Sequence, residues 1–175
     1  IDIGALYNLL LYIFAEEAGK KINNVLTPKE VIGLVAELIG DNKDNNSLCD
    51  PVSGSGTLLV EVGKRVGIRG ANIFGQEANW NQYALTKMNL MLNGFKDSTF
   101  FWGDSLSNPK LTDDGGLKRF DIVASIPPFA DKWATEEAEF DRYGRFQYGI
   151  PPRSQATWAY ISPVSYTHLR AHETL

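Results

Sequence analysis

Asp50-Pro-Val-Ser-Gly-Ser-Gly56 closes the short apolar run Ser47-Leu48-Cys49 and opens a helical pattern carrying Leu58, Leu59, Val62 and Val66. A strand, a turn with two glycines and a helix make the βα junction at which an open α/β sheet holds a nucleotide-like ligand. Gly54 and Gly56 let the backbone turn tightly and approach a ligand closely. Taken alone, the Gly-x-Gly is equally an ordinary strand-to-helix turn. The nicotinamide fingerprint fits it poorly, because Leu59 occupies the third glycine position.

Working outward, strand and helix alternate. Ser47–Asp50 reads as a first strand and Asn72–Glu77 as a second. A helix from Trp80 to Asn93 stops at Gly94. Thr99–Trp102 is a third strand and Asp121–Ser125 a fourth. Ser107–Lys118 is polar and turn-rich and reads as a loop. The order βαβαββ, with connections too long for hairpins around the first two strands, predicts a parallel doubly wound sheet. Two helices precede it. Residues 1–18 carry Leu6, Leu9, Leu10, Ile13 and Phe14 at helical spacing, expected to pack on neighbouring elements, with Gly19-Lys20-Lys21 as the stop. Thr27-Pro28-Lys29-Glu30 reads as a helix start with Thr27 as N-cap. The helix after it is expected to bury Val31, Val35, Leu38 and Ile39. Asp41–Asn46 is a polar loop.

Bulk properties narrow the function classes. The chain has 175 residues and a formal charge of −4, which is no signature of an autonomous DNA-binding domain. Were nucleic acid the substrate, another segment or subunit must supply much of the phosphate contact. No apolar run approaches the roughly 18 residues of a membrane span. The single cysteine, Cys49, excludes an internal disulfide framework, suits a reducing cytoplasm and reads as a small buried residue of a strand. No leader segment is visible before Ile1, and the chain reads as an excerpt.

Both histidines fall in Val164-Ser-Tyr-Thr-His-Leu-Arg-Ala-His-Glu-Thr-Leu175. This stretch resembles the conceptual translation of a sequencing adapter. The natural sequence is therefore expected to end near Ser162 or Pro163, and no metal site is assigned to His168 and His172. Residues 1–26 are expected to be the end of a helical region, 27–162 part of a catalytic domain, and 163–175 a non-native tail.

The candidate chemistry lies at carboxyl ends of strands. Asp50 ends the first. Glu77 ends the second, where a carboxylate can accept two hydrogen bonds from a ribose diol. Asp104 follows the third in Gly103-Asp104-Ser105, where it can receive an adenine amino group or cap a helix. Together these sites describe an adenosine with a charged appendage. Ile126-Pro127-Pro128-Phe129 follows the fourth strand. Two prolines force a rigid extended exit, and Phe129 is expected to present its ring at the same edge.

These segments resemble the N6-adenine DNA methyltransferases, in particular the modification subunit of type I restriction–modification systems. The resemblance runs from about Gly19 to Ile161. It rests on Thr27-Pro-Lys-Glu-Val31, Asp50-Pro-Val-Ser-Gly-Ser-Gly56, Gly75-Gln-Glu77, Met88-Asn-Leu90 with Asn93-Gly94, Gly103-Asp-Ser105, and Phe120-Asp-Ile-Val123 leading to Pro127-Pro-Phe129. Tyr148-Gly-Ile-Pro-Pro152 and Ala156-Thr-Trp-Ala159 look like the family's segment after the catalytic loop. The resemblance implies a Rossmann-like class I S-adenosylmethionine-dependent methyltransferase fold, with the sheet truncated after its fourth strand and preceded by helices. It implies S-adenosylmethionine as cofactor. Asp50, Pro51, Gly54, Ser55 and Gly56 would lie around its methionine part, with Thr27 and Pro28 closing that end. Glu77 would hold the ribose and Asp104 the adenine. A flipped-out target adenine of double-stranded DNA would meet Ile126, Pro127, Pro128 and Phe129, with Phe129 stacking on it. The implied partners are a specificity subunit and a restriction subunit.

One position departs from the pattern. The family has Asn or Asp before Pro-Pro-Phe, where its side-chain oxygen and a backbone carbonyl accept the two hydrogens of the adenine amino group. Here the residue is Ile126, whose side chain accepts nothing. A sequence error, an inactivating change and a different acceptor all fit. Val25-Leu26 is a second departure, where the family often has aromatic residues. Two other functions stay open: a non-catalytic cofactor-binding or assembly module, and a methyltransferase acting on protein glutamine or RNA.

Overall fold

The computed structural model describes residues 2–17, 27–40, 47–128 and 132–167. In chain order its elements are α1 (Ile3–Glu17), α2 (Lys29–Ile39), β1 (Leu48–Asp50), α3 (Thr57–Val66), β2 (Ile73–Glu77), α4 (Trp80–Leu92), β3 (Thr99–Trp102), β4 (Thr112–Asp113), β5 (Gly116–Leu117), β6 (Ile122–Val123), α5 (Glu136–Glu139) and α6 (Ala156–Thr167). Phe129, the Gly19–Lys21 helix stop and the Asp41–Asn46 loop fall outside the described residues.

Four strands form one parallel sheet in the order β3-β2-β1-β6. The chain winds from β1 out to β3 and then returns to lay β6 on the other side of β1. That reversal opens a crevice at the carboxyl ends of β1 and β6, where such sheets bind ligands. Ser47 ties the two strands at their other end: its hydroxyl donates to Asp121 at 2.7 Å and accepts from the Asp121 N–H at 3.0 Å.

Alternation along the strands separates two apolar layers. Leu48, Ile73 and Ile122 join Ile32 and Ala36 of α2, Leu59, Val60 and Val62 of α3, and Leu90 of α4. Cys49 and Phe74 join Leu111 and Phe120, with the two phenyl rings 5.1 Å apart. The expected loop at 107–118 covers this second layer. It also folds a small antiparallel pair, β4 with β5, that the sequence reading did not anticipate. A third cluster gathers Leu106, Trp133, Ala138, Phe146, Ala156 and Ala159.

Three local expectations need correction. The α1 stripe of Leu6, Leu9, Leu10, Ile13 and Phe14 is 39–59% exposed rather than packed. The helix docks through its other face. Gly4 sits against the Asn93 side chain, and the Tyr7 hydroxyl donates to Leu85 O at 3.1 Å. Second, α2 begins one residue late: Pro28 occupies the cap position, without a side-chain cap bond. Third, α2 buries Ile32 and Ala36, with Val35 and Ile39 beside them, whereas Leu38 is 78% exposed. α6 runs across Ser162 and Pro163 to Thr167, although a proline there removes a helical hydrogen-bond donor.

Candidate functional site

The turn after β1 is held at nearly every step. Asp50 Oδ1 accepts from the Val52 N–H at 2.9 Å, and the Ser53 hydroxyl donates to Asp50 O at 2.7 Å. The Ser53 N–H donates to Gln76 O at 3.1 Å, and Gly56 N–H to Ser53 O at 2.8 Å. Ser55 and Thr57 share a hydroxyl contact at 2.9 Å. Helix α4 grips the turn from above: Thr86 donates to Gly54 O at 2.6 Å and Asn89 to Ser55 O at 3.1 Å. Gly56 has φ +74, and a Cβ there would stand 2.5 Å from the Thr86 methyl. Only glycine satisfies both the left-handed backbone and the close passage of α4. Pro51 is half-buried at the turn's start.

Glu77 links the turn to β2. One carboxylate oxygen accepts from the Gly54 N–H at 2.8 Å, the other from the Asn79 N–H at 2.7 Å. A carboxylate offers about four acceptor positions, so these two bonds leave capacity for a further donor. Asp104 begins the loop after β3. Its Oδ1 accepts from the Leu106 N–H at 2.9 Å and its Oδ2 from the Ser107 hydroxyl at 3.2 Å. Asp104 caps no helix, the alternative the sequence left open; it closes a tight turn instead.

The three acids form one electrostatic group. Burial pushes Asp50 up to about 7; the Val52 N–H and the nearby Ser125 hydroxyl oppose this, and the Glu77 charge adds to it. The Ser125 hydroxyl makes no hydrogen bond of normal geometry, so its effect on Asp50 is a weak contact. Burial also raises Glu77, against the N–H groups of Asn79 and Gly54, and Asp104 raises it further. Acids held in this state favour a cationic or hydroxyl-bearing guest over an anion.

Ile126, Pro127 and Pro128 leave β6 at the same edge. All three are half-buried, and Ile126 packs against the layer that holds Leu59 and Ile122. Pro128 O accepts from the Thr157 hydroxyl at 3.0 Å. Thr27 is engaged elsewhere: its carbonyl accepts from the Tyr12 hydroxyl at 3.2 Å. A groove of about 670 Å³ lies away from these residues, between α2 and α3, and is lined by Glu37, Glu61 and Lys64 among others.

Sequence reasoning missed Gln76, Thr86 and Arg145. Gln76, 1% exposed, donates to Gly103 O and Asn108 O and accepts from the Lys110 N–H. It fastens the Asp104 loop to β2. Its place beside Glu77 was the available signal. Thr86 gave none, because its partner is a backbone atom distant in sequence, and Arg145 showed only the i, i+4 pairing with Asp141.

The sheet order and the glycine turn at its switch point define a class I S-adenosylmethionine-dependent methyltransferase fold. The chain belongs to the N-6 DNA methylase family, whose profile matches residues 2–171. The methylase subunit of the type I restriction enzyme MjaVIII from Methanocaldococcus jannaschii is 33% identical over 174 residues, which is 94% of this chain and 30% of that protein. The HindI methylase subunit from Haemophilus influenzae is 29% identical over 171 residues, covering 94% and 37%. The chain thus spans about a third of the length of these relatives. Among solved structures, the type I restriction-modification methyltransferase subunit from Streptococcus thermophilus superposes with a TM-score of 0.70 at 25% identity, over 83% of this chain and 32% of that one. A Listeria monocytogenes protein described as a putative class I S-adenosylmethionine-dependent methyltransferase gives 0.73 at 20% identity, over 95% and 50%, a likeness of fold. Among the described residues, no helix is long and apolar enough to cross a membrane.

Proposed function

We propose that this chain is the cofactor-binding portion of an adenine-N6 DNA methyltransferase, the modification subunit of a type I system. Its substrate is a flipped-out adenine of double-stranded DNA. Its partners are a specificity subunit and, in the restricting assembly, a restriction subunit. The observation that carries the reading is the glycine turn held between two buried acids, with Asp50 bonded to the Val52 N–H and Glu77 to the Gly54 N–H. S-adenosylmethionine would supply an activated methyl group on a sulfonium. Glu77 has acceptor capacity left for a ribose diol. Asp104 faces the adenine, Asp50 the cationic methionine end, and Gly54 and Gly56 give the close backbone approach. Pro51 and Ser55 complete the turn, and Thr27 and Pro28, tied to α1 through Tyr12 in this structure, would close over it.

Transfer is a separate matter from binding. Pro127 would offer its carbonyl to one amino hydrogen of the target, and Phe129 would stack on the base. Ile126 offers no acceptor for the other hydrogen. Losing one positioned transition-state hydrogen bond lowers a rate by about a hundredfold to a thousandfold. The chain as written therefore binds S-adenosylmethionine and transfers its methyl group poorly. The test is calorimetry with S-adenosylmethionine, followed by a methyl-transfer assay of Ile126→Asn in the full subunit assembled with its specificity subunit. Recovered transfer supports the enzyme. Binding with no recovery favours a non-catalytic cofactor-binding module, and absence of binding defeats both.

A further inference from the structure

Arg145 lies outside the glycine turn, the acid group and the Pro127-Pro128 turn, yet it is deeply buried. Its Nε donates to Asp141 Oδ1 at 2.9 Å, and both side chains are 3% exposed. Its Nη1 donates to Ser105 O at 2.8 Å and its Nη2 to Leu106 O at 2.7 Å. Removing two charges from water is costly, and such a pair seldom stabilises a fold more than apolar residues of the same volume. What the guanidinium adds is direction: a planar fork aims several donors at once.

The Ser105 carbonyl and the Leu106 N–H belong to one peptide group. That group is planar, so holding its oxygen also orients its N–H. The same N–H donates to Asp104 Oδ1 at 2.9 Å. We propose that Arg145 is a positioning residue for the adenine end of the cofactor, setting the Asp104 carboxylate through the Ser105–Leu106 peptide. The proposal rests on the S-adenosylmethionine reading above.

The surroundings suit this role. Gln76 grips the flanks of the loop at Gly103, Asn108 and Lys110, whereas Arg145 grips the peptide next to Asp104. The Arg145 backbone is followed by Phe146, which packs with Leu106, Trp133, Ala156 and Ala159. From the same stretch Thr157 donates to Pro128 O. The loop carrying Asp104 and the turn carrying Ile126 therefore hang from one small body. Arg145 is the polar link from that body to the cofactor's side.

The experiment is a double-mutant cycle on S-adenosylmethionine affinity, measured by calorimetry below the melting temperature of every variant. Arg145→Lys keeps the charge and loses the fork; Asp104→Asn keeps the shape and loses the carboxylate. Arg145→Lys is expected to weaken binding about tenfold, the scale of one hydrogen bond. Asp104→Asn should weaken it comparably, and the double variant no further than Asp104→Asn alone. A residue that only holds the fold together would give additive losses. Additive losses, or an Arg145→Lys chain that binds like wild type, overturn the proposal and leave the cofactor reading standing. A wild-type chain that does not bind overturns both. Should Arg145→Lys not fold, Asp141→Asn carries the same cycle, because it keeps the guanidinium and loosens its aim.

Discussion

Asp50 is 2% exposed, and its carboxyl titrates near neutrality because burial outweighs its backbone hydrogen bond. Its folded pKa of about 7 stands above the ordinary 3.8, so between those values the folded chain keeps a proton that the unfolded chain has lost. That contribution to stability is complete below the unfolded value and is lost as pH rises through the folded one. Glu77 is shifted in the same direction. Urea melts should therefore show wild type losing more stability than Asp50→Asn between pH 5 and pH 8. Equal losses would sink the assignment. Binding follows the opposite course. A cationic ligand favours ionised Asp50, so S-adenosylmethionine affinity should rise through about pH 7 with release of a proton. Calorimetry in buffers of different ionisation enthalpy reads that proton directly, and a flat profile from pH 6 to pH 8 would count against the placement. Ile126 belongs at this scale too. Its side chain packs on the apolar layer, so Ile126→Asn should lower stability by about 1–2 kcal/mol even as it restores an acceptor. Thermal melts beside the transfer assay separate the two effects.

Helix α4 is the element that makes the glycine turn a rigid one. Thr86 and Asn89 project from it onto two turn carbonyls, and Thr86 crowds Gly56. Gly56→Ala should cost about 2–4 kcal/mol, from the left-handed backbone and the overlap together. Thr86→Ser removes the offending methyl and keeps the hydroxyl on Gly54 O. Added to Gly56→Ala it should recover part of the loss, but not the backbone part. No recovery would place the whole cost in φ. The sequence made much of this layer legible. Asp50 and Glu77 end strands, the glycines open a helix, and β3 and α4 start where local patterning puts them, because each signal is local. Asn89 was visible as part of a motif, but its partner Ser55 O is 34 residues away, so its task was not. Arg145 has one local mark, Asp141 four residues before it, but the backbone it binds lies 39 and 40 residues away, so its task was not legible. The α2 face was misread by one position for a related reason: several apolar residues compete, and packing on α3 selects Ile32 over Val31.

At the scale of the whole molecule, the apolar layers account for the sheet, the loop at 107–118 and the body around Trp133, but not for α1. Its residues 6, 9, 10, 13 and 14 follow an i, i+3, i+4, i+7, i+8 stripe, the pattern that periodicity assigns to a core. The helix instead turns Gly4, Tyr7 and Asn8 toward α4, because Gly4 permits close approach and Tyr7 reaches the Leu85 carbonyl. Periodicity reports that a face is apolar; it does not say what covers that face. The two possibilities differ experimentally. If the stripe were core, Leu9→Glu with Phe14→Glu would unfold the chain or cost several kcal/mol. With the stripe exposed, the pair should change stability by no more than about 0.5 kcal/mol. It should also reduce self-association, since a contiguous apolar patch on the surface promotes contact between copies. Sedimentation velocity across a concentration series measures the association, and thermal melts measure the stability. A chain that associates less and melts unchanged supports the observed docking of α1; one that melts far lower restores the inward-facing helix that the sequence pattern suggested.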